Sequence, residues 1–307
     1  GWLGDRFGTK RIFMTALFVF TAASFLCGLS WNIESLIAFR ILQGIGPHYA
    51  RDYIRRFGFD PARHPPYLTM ALGAGSVTPL QMAAAYSVFA NGGFSVNPYL
   101  IDKVFDKDGR LLMQASPQQV GGNAPRVIDP RNAWLMTSMM QDVVRYGTAA
   151  RASQLGRSDL AGKTGTTNDA LDTWFAGYNP DLVTITWMGY DQPRSLGRRE
   201  TGSQSALPIW MNFMDAALKG VPQKGWEMPG GIISVKIDPA TGAHRSDTVW
   251  DTLLGTAVAV ETPSMVEHFY QEFPPPEAPA AGWGDGPDTF TEPAAPFERA
   301  EPETILP

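Results

Sequence analysis

Lys163-Thr164-Gly165-Thr166-Thr167 sets a cation, three hydroxyls and a side-chain-free position within five residues. The stretch follows apolar Leu160-Ala161-Gly162 and precedes Trp174-Phe175-Ala176-Gly177, the setting of a strand. Side chains alternate across a strand, so neighbouring positions serve different purposes. Lys163 can point its charge into a cleft. Thr164 and Thr166 share the opposite pleat and can present hydroxyls together to a carboxylate or amide. Gly162 and Gly165 remove bulk, so that an extended ligand can approach the backbone and pair along the strand edge. A bare K-T-G triplet often occurs by chance as a polar turn with a surface lysine; the flanks set this one apart.

Covalent chemistry would also need a nucleophile with a base beside it. A serine with a lysine three positions later puts both on one helix face. No serine in this chain has one, and the nearest imitations, Ser195-Leu196-Gly197-Arg198 and Ser234-Val235-Lys236, do not fit. No serine–lysine pair of that kind is present and no catalytic residue is singled out, and Lys163, Thr164, Gly165 and Thr166 stand as substrate-binding candidates. The four histidines, His48, His64, His244 and His268, lack metal-ligand spacing. Gly73-Ala74-Gly75 lacks the third glycine of a phosphate loop and precedes a threonine-capped helix. Neither a metal nor a cofactor is expected.

The elements that would position the strand are legible from their punctuation. Asp129-Pro130 supplies an N-cap and a first-turn proline for a helix ending near Gly147. Thr78 caps, Pro79 starts and Gly92 ends another helix. After the motif, residues 172–180 and 182–190 are β-rich runs joined by the hairpin signal Asn179-Pro180-Asp181. A helical stretch opens at Ser205-Ala206-Leu207-Pro208 and stops at Gly220. Residues 160–190 are thus expected as three consecutive antiparallel strands, with helices over 79–91, 130–146 and 206–219 packed on the sheet.

This order of elements, with Gly147-Thr148-Ala149, Leu155-Gly156-Arg157, residues 159–169 and Trp174-Phe175, resembles the class A, bifunctional penicillin-binding proteins. Residues 49–59, 72–93 and 230–242 look like further parts of the same transpeptidase domain, so the resemblance covers residues 47–271. It implies an α+β fold: a truncated serine β-lactamase/D,D-transpeptidase-like domain, an antiparallel sheet with flanking helices. It also implies a D,D-transpeptidase of cell-wall synthesis whose serine is acylated by the penultimate D-Ala of a peptidoglycan stem peptide, or by a β-lactam, beside Lys163, Thr164, Gly165 and Thr166. Two elements of the family's site are missing, the S-x-x-K nucleophile and the S-x-N loop. Ser30-Trp31-Asn32 and Ser95-Val96-Asn97 match the second in letters but lie where the family does not place it. The chain is expected to be inactive alone; class A members carry a glycosyltransferase domain upstream of this part.

Residues 1–46 read differently. Residues 1–11 resemble the loop between the second and third helices of major facilitator superfamily transporters, and residues 35–46 resemble the start of the next helix. Between them, residues 12–31 carry no charge; about 20 residues at about 1.5 Å each span a bilayer core of about 30 Å. One transmembrane helix is expected there. Arg6, Lys10 and Arg11 precede it, whereas Arg40 is the only Lys or Arg between Asn32 and Ala50, so the N-terminal side should be cytoplasmic and residues 47 onward extracytoplasmic, on the periplasmic face of the inner membrane. A whole transporter would need about a dozen crossings. The run Arg40-Ile41-Leu42-Gln43 suits both families, which points to a fusion, or a misassembly of two genes, at shared sequence, and the start at Gly1 suggests an incomplete end.

Composition sets the remaining bounds. The net charge of −5 argues against a nucleic-acid partner, and the single Cys27 excludes an internal disulfide. Residues 272–307 hold eight acidic residues and one Arg, giving −7 there and +2 over the rest. Rich in Pro, Ala and Glu, that segment is expected to be disordered. No repeat of 20–50 residues is present, and nothing fixes the oligomeric state.

Overall fold

The computed structural model describes residues 46–277 apart from 65, 68, 71–72, 74, 240, 245–247, 252–255 and 260–263. The expected transmembrane run 12–31 and residues 278–307 lie outside the described residues, among which no helix is long and apolar enough to cross a membrane. The described chain forms two compact units. One comprises the described residues up to Ser234 with His268–Pro274; the other comprises Val235–Glu267 and the residues from Pro275.

The first unit is built on a three-stranded antiparallel sheet, β3 (Ala161–Thr166), β4 (Asp172–Tyr178) and β5 (Val183–Gly189), in that spatial order. The register runs without a bulge, pairing Lys163 with Ala176 and Gly165 with Trp174 on one side of β4, and Phe175 with Thr186 on the other. The three expected strands are all present. Asn179 makes the β4–β5 turn: its Oδ1 accepts from the backbone N–H groups of Asp181 at 3.2 Å and Leu182 at 2.8 Å, the local bonding that lets asparagine replace strand with turn.

Helices α2 (Pro79–Ala90), α3 (Pro130–Arg145) and α4 (Leu207–Ala217) pack on the sheet, and α1 (Pro47–Tyr53) sets its Tyr53 against the cluster of Val88, Ile128 and Ala133. The caps match their sequence signals. Thr78 and Gln81 form a reciprocal capping box at α2, and the Asp129 carboxylate accepts the Arg131 N–H at 2.8 Å at α3. At α4 the helix differs from the expectation at its start. A π-helical turn, Gly202–Ala206, precedes it, and Ser205 belongs to that turn rather than to a cap. The cause is steric: Gly202 is pressed onto the sheet, where an added Cβ would lie 2.5 Å from the Trp174 carbonyl and 2.6 Å from that of Gly165.

Apolar side chains from α4 and the sheet make one core: Phe175, Leu160, Leu207, Trp210 and Met214, closed by Val144 of α3. Phe175 and Trp210 meet edge to face at 4.8 Å. A second cluster joins Tyr178, Ala161 and Met140 with Tyr86 and Phe89 of α2 and with Trp226. Trp226 fastens two helices to it, donating to the Ala90 carbonyl at 3.2 Å while its own carbonyl accepts from Trp134.

The remaining strands pair locally, β1 (Lys103–Phe105) with β2 (Leu111–Gln114), β6 (Ile232–Ile237) with β9 (Met265–Tyr270), and, in the second unit, β7 (Thr248–Asp251) with β8 (Thr256–Ala259). The tail expected to be disordered from residue 272 begins in contact with the first unit: Glu272 pairs with Arg131 at 2.6 Å, and the Phe273 N–H bonds to the Tyr270 carbonyl. A carboxylate opposite an arginine holds these residues where composition alone predicts none to be held.

Candidate functional site

Among the described residues the motif strand β3 is an edge, with β4 on one side and no strand on the other. Its first residues, Ala161 and Gly162, are buried; Lys163, Thr164 and Gly165 are half-buried, and Thr166 is exposed. Each of the four sequence-derived residues lies on it, and each is held by a contact. The Lys163 ammonium donates to the Thr164 carbonyl at 3.3 Å. The Thr164 hydroxyl lies 2.7 Å from that of Thr148. Thr166 Oγ1 accepts the Gly202 N–H at 3.0 Å, and the backbone of Gly165 packs under Gly202.

Thr148 arrives by way of the end of α3. At Gly147 an added Cβ would lie 2.8 Å from the Val143 Cα, so glycine lets the chain fold back over the last helical turn. The Gly147 and Ala149 N–H groups both reach the Val143 carbonyl at 3.1 Å, and Ala149 is fully buried. That anchoring aims Thr148 at the motif. The sequence carried Gly147-Thr148-Ala149 as family wording but gave no sign of the partner; a threonine just past a glycine helix stop, 16 residues before another threonine, is a pattern too common to read.

Beyond the motif the chain is strained. Asp169 and Ala170 both have positive φ, 59° and 49°, a conformation costing roughly 1–2 kcal/mol for a residue with a Cβ. Their carbonyls are clasped from outside: Asp169 accepts from the Ser195 hydroxyl at 2.7 Å and Ala170 from the Leu196 N–H at 2.8 Å. Thr167 closes the loop, its hydroxyl accepting the Asp172 N–H at 2.8 Å.

The strand is anchored at its entry by a buried ion pair. Arg157 Nε and NH2 donate to the two Asp159 oxygens at 2.8 and 2.6 Å, and the Lys224 N–H adds a third bond at 3.2 Å. The Asp159 side chain is 1% exposed and that of Arg157 11%. Burial alone would raise the Asp159 carboxyl, but the Arg157 hydrogen bonds and charge and the Lys224 N–H outweigh it and hold the group below its ordinary value. In the neighbouring cluster burial pushes the Tyr86 phenol up to about 12 and raises Tyr178 as well, against the lowering effect of its Thr137 hydrogen bond. Both phenols are neutral packing groups.

Hydroxyls surround the far end of β3, with Thr173 and Ser205 2.9 Å apart and Thr201 and Ser203 2.9 Å apart, but none of these contacts brings in a base. Among the described residues a serine that does touch a base is Ser234, 2.9 Å from His268 Nδ1, on β6 and β9 rather than β3. Two concavities among the described residues, about 290 and 350 Å³, are lined around Arg131 and Glu272 and around Arg157 and Met214; neither includes residues 163–166. Among the described residues no cluster of His, Cys, Asp and Glu could hold a metal ion. The arrangement is an open strand edge with a cation and paired hydroxyls, suited to lining up an extended, carboxylate-bearing ligand.

Comparison with known proteins places the chain in a family. A model of the penicillin binding protein transpeptidase domain matches residues 35–215, and the chain belongs to this family. A model described as sugar (and other) transporter matches residues 1–47, so two families meet in one chain and overlap over residues 35–47. Penicillin-binding protein 1A of Neisseria lactamica is 56% identical over 201 residues, 66% of this chain and 25% of that protein. Its counterpart in Pseudomonas aeruginosa is 43% identical over 257 residues, 69% of this chain and 31% of that protein. Among solved structures, penicillin-binding protein 1A from Haemophilus influenzae superposes with a TM-score of 0.68 at 33% identity, covering 78% of this chain and 39% of that one. The PonA1 protein of Mycobacterium tuberculosis in complex with penicillin V gives a TM-score of 0.51 at 25% identity, covering 64% and 58%. The chain spans about a quarter of the length of the first of these relatives.

Proposed function

We propose that this chain binds the D-Ala-D-Ala end of a peptidoglycan stem peptide, or a β-lactam of similar shape, reversibly along β3 and does not turn it over. The observation that carries the reading is the K-T-G strand at a sheet edge in a chain without a serine–lysine pair. The bound penicillin V of the PonA1 structure supports β-lactams as the ligand class. Lys163 supplies charge to a ligand carboxylate, and Thr164 and Thr166 supply hydroxyls. Acylation needs more: a hydroxyl whose proton is taken by an adjacent base as the C–O bond forms. Thr164 has a threonine beside it and Thr166 a backbone N–H, neither of them a base.

Incubation with penicillin followed by intact-mass spectrometry tests this. The expected result is an unchanged mass; a stoichiometric increase abolished by replacing one hydroxyl residue, with Ser234→Ala the first variant to try, would refute it.

The reading extends to location. The uncharged run 12–31 and its basic flank support one crossing of the inner membrane, with residues 47 onward on the periplasmic side, where peptidoglycan lies. The overlap of two family matches over residues 35–47 favours a second reading of the chain's origin, a junction made by misassembly at shared sequence. Long reads across codons 35–50 of the locus decide it: reads that never join the two halves would establish the artefact.

A further inference from the structure

Between β5 and α4 the chain makes an excursion to the end of the motif strand. It leaves β5 at Gly189 and reaches the connection between β3 and β4, where the Ser195 hydroxyl donates to the Asp169 carbonyl at 2.7 Å and the Leu196 N–H to that of Ala170 at 2.8 Å. It turns over residues 197–200, closed by the Glu200 N–H on the Gly197 carbonyl at 3.5 Å. It then returns to β3 at Gly202, whose N–H donates to Thr166 Oγ1 at 3.0 Å. The turn is therefore fastened on both sides to the end of the strand that carries the motif, and one fastening also holds the left-handed pair Asp169 and Ala170.

Arg198 and Arg199 are the central residues of that turn, and both are exposed. At no more than about 3.6 Å of chain per residue, Arg199 lies within about 11 Å of Gly202 and Arg198 within about 7 Å of Leu196, so both side chains start beside the end of β3. Their neighbours are occupied locally. Arg194 lies over the Tyr190 ring at 3.8 Å, the Asp172 carboxylate takes the Trp174 indole N–H at 3.1 Å, and Glu200 sets its Cγ against Gly197.

A ligand on β3 has one way to run. Ala161 and Gly162, before Lys163, are buried, whereas the strand opens towards Thr166. A peptide whose terminal carboxylate meets Lys163 must extend towards Thr166, and at about 3.3 Å per residue its third residue from the end arrives about 7 Å along the strand, on the side of the arginine turn. We infer that Arg198 and Arg199 select ligands with a second carboxylate, carried on the side chain of the residue that precedes D-Ala-D-Ala. The inference rests on the proposed binding along β3. A guanidinium fork matches a carboxylate in shape as well as in charge, and a turn already fastened at both ends loses little freedom when the ligand arrives. Asp169 and Glu200 temper the positive charge, so the preference is a few-fold rather than absolute.

The test compares two fluorescent tripeptides, Glu-D-Ala-D-Ala and Gln-D-Ala-D-Ala, by fluorescence anisotropy on the full chain in detergent. They differ by one charge and almost no volume. At ~0.01 M ionic strength, where charges act over about 30 Å, the Glu peptide should bind about 5-fold more tightly, the size expected of an exposed ion pair. In ~1 M salt the two should bind alike. The double variant Arg198→Gln, Arg199→Gln should bring the ratio of affinities to one at low salt. Equal affinities in the native chain at low salt would overturn the inference and leave the β3 reading in place, as would a preference that persists in the double variant with its circular dichroism unchanged. Failure of both peptides to bind would overturn the two together.

Discussion

Replacing Asp159 by Asn removes one charge and almost no volume at the point where the motif strand enters the sheet. In the native chain the carboxylate takes two bonds from Arg157 and one from the Lys224 N–H, at 1% exposure. An amide offers one acceptor oxygen where there were two. Its nitrogen must then face either a guanidinium N–H or the Lys224 N–H, donor against donor, and Arg157 stays nearly buried without a counter-charge. Losing a hydrogen bond to a charged group costs about 1.5–3 kcal/mol, and breaking a buried ion pair from one side about 3–5 kcal/mol. The second figure governs here, because Arg157 cannot leave: its NH1 is also bonded to the Val221 carbonyl at 2.8 Å. A loss of about 4 kcal/mol lowers the Tm of a domain this size by about 10 °C. Urea unfolding of the full chain in detergent, followed by tryptophan fluorescence, measures it. The effect carries a pH signature. The folded carboxyl lies below its ordinary value, so its stabilising contribution is complete above the unfolded value and fades as pH falls through the folded one. The gap between native and Asp159→Asn chains should therefore narrow in acid. A loss below about 1 kcal/mol at neutral pH, or a gap that does not narrow, would refute the account of this pair.

Other consequences are sharper in sign than in size. Gly202→Ala drives a methyl toward two backbone carbonyls at 2.5 and 2.6 Å; it should destabilise the chain by more than about 2 kcal/mol, and a neutral result in thermal unfolding would mean that the π-turn yields. Thr78→Ala removes one half of a capping box and should cost about 1 kcal/mol in the same assay. Thr148→Val leaves the Thr164 hydroxyl without its partner at 2.7 Å; a loss of about 1 kcal/mol is expected, together with weaker retention on immobilised D-Ala-D-Ala peptide. Protease added outside spheroplasts should digest the chain beyond residue 47, and full protection would reverse the proposed topology.

The parts of the fold legible in the sequence were those written by local chemistry. Thr78-Pro79, Asp129-Pro130 and Asn179-Pro180-Asp181 each announced a cap or a turn through a side chain that bonds its own neighbouring backbone, and the alternation of residues 160–190 announced strands. The π-turn before α4 was not legible, because it arises from Gly202 meeting the Trp174 and Gly165 carbonyls across the sheet, a contact between residues dozens of positions apart. The same limit applied at the site. Lys163 to Thr166 stood out as a string, whereas the Thr148–Thr164 contact, the hold of residues 221–224 on the Arg157–Asp159 pair and that of Ser195 and Leu196 on the left-handed Asp169 and Ala170 become visible only when separate segments meet. The Ser234 and His268 contact is likewise invisible in sequence, where the two are 34 residues apart.

The short distance between the Thr148 and Thr164 oxygens has one more implication. Two hydroxyls 2.7 Å apart share a single proton along the line between them, so at any moment one donates inward and the other keeps its proton for outside use. A ligand carboxylate that takes a bond from Thr164 decides the direction: Thr164 must spend its proton outward, and Thr148 must turn to supply the inner one. An incoming hydrogen-bond donor leaves both settings open, because the Thr164 oxygen can accept two bonds. The two threonines then behave as a rotor with two settings, and the bond a ligand makes to the half-buried Thr164 is passed on to the exposed Thr148 beside it.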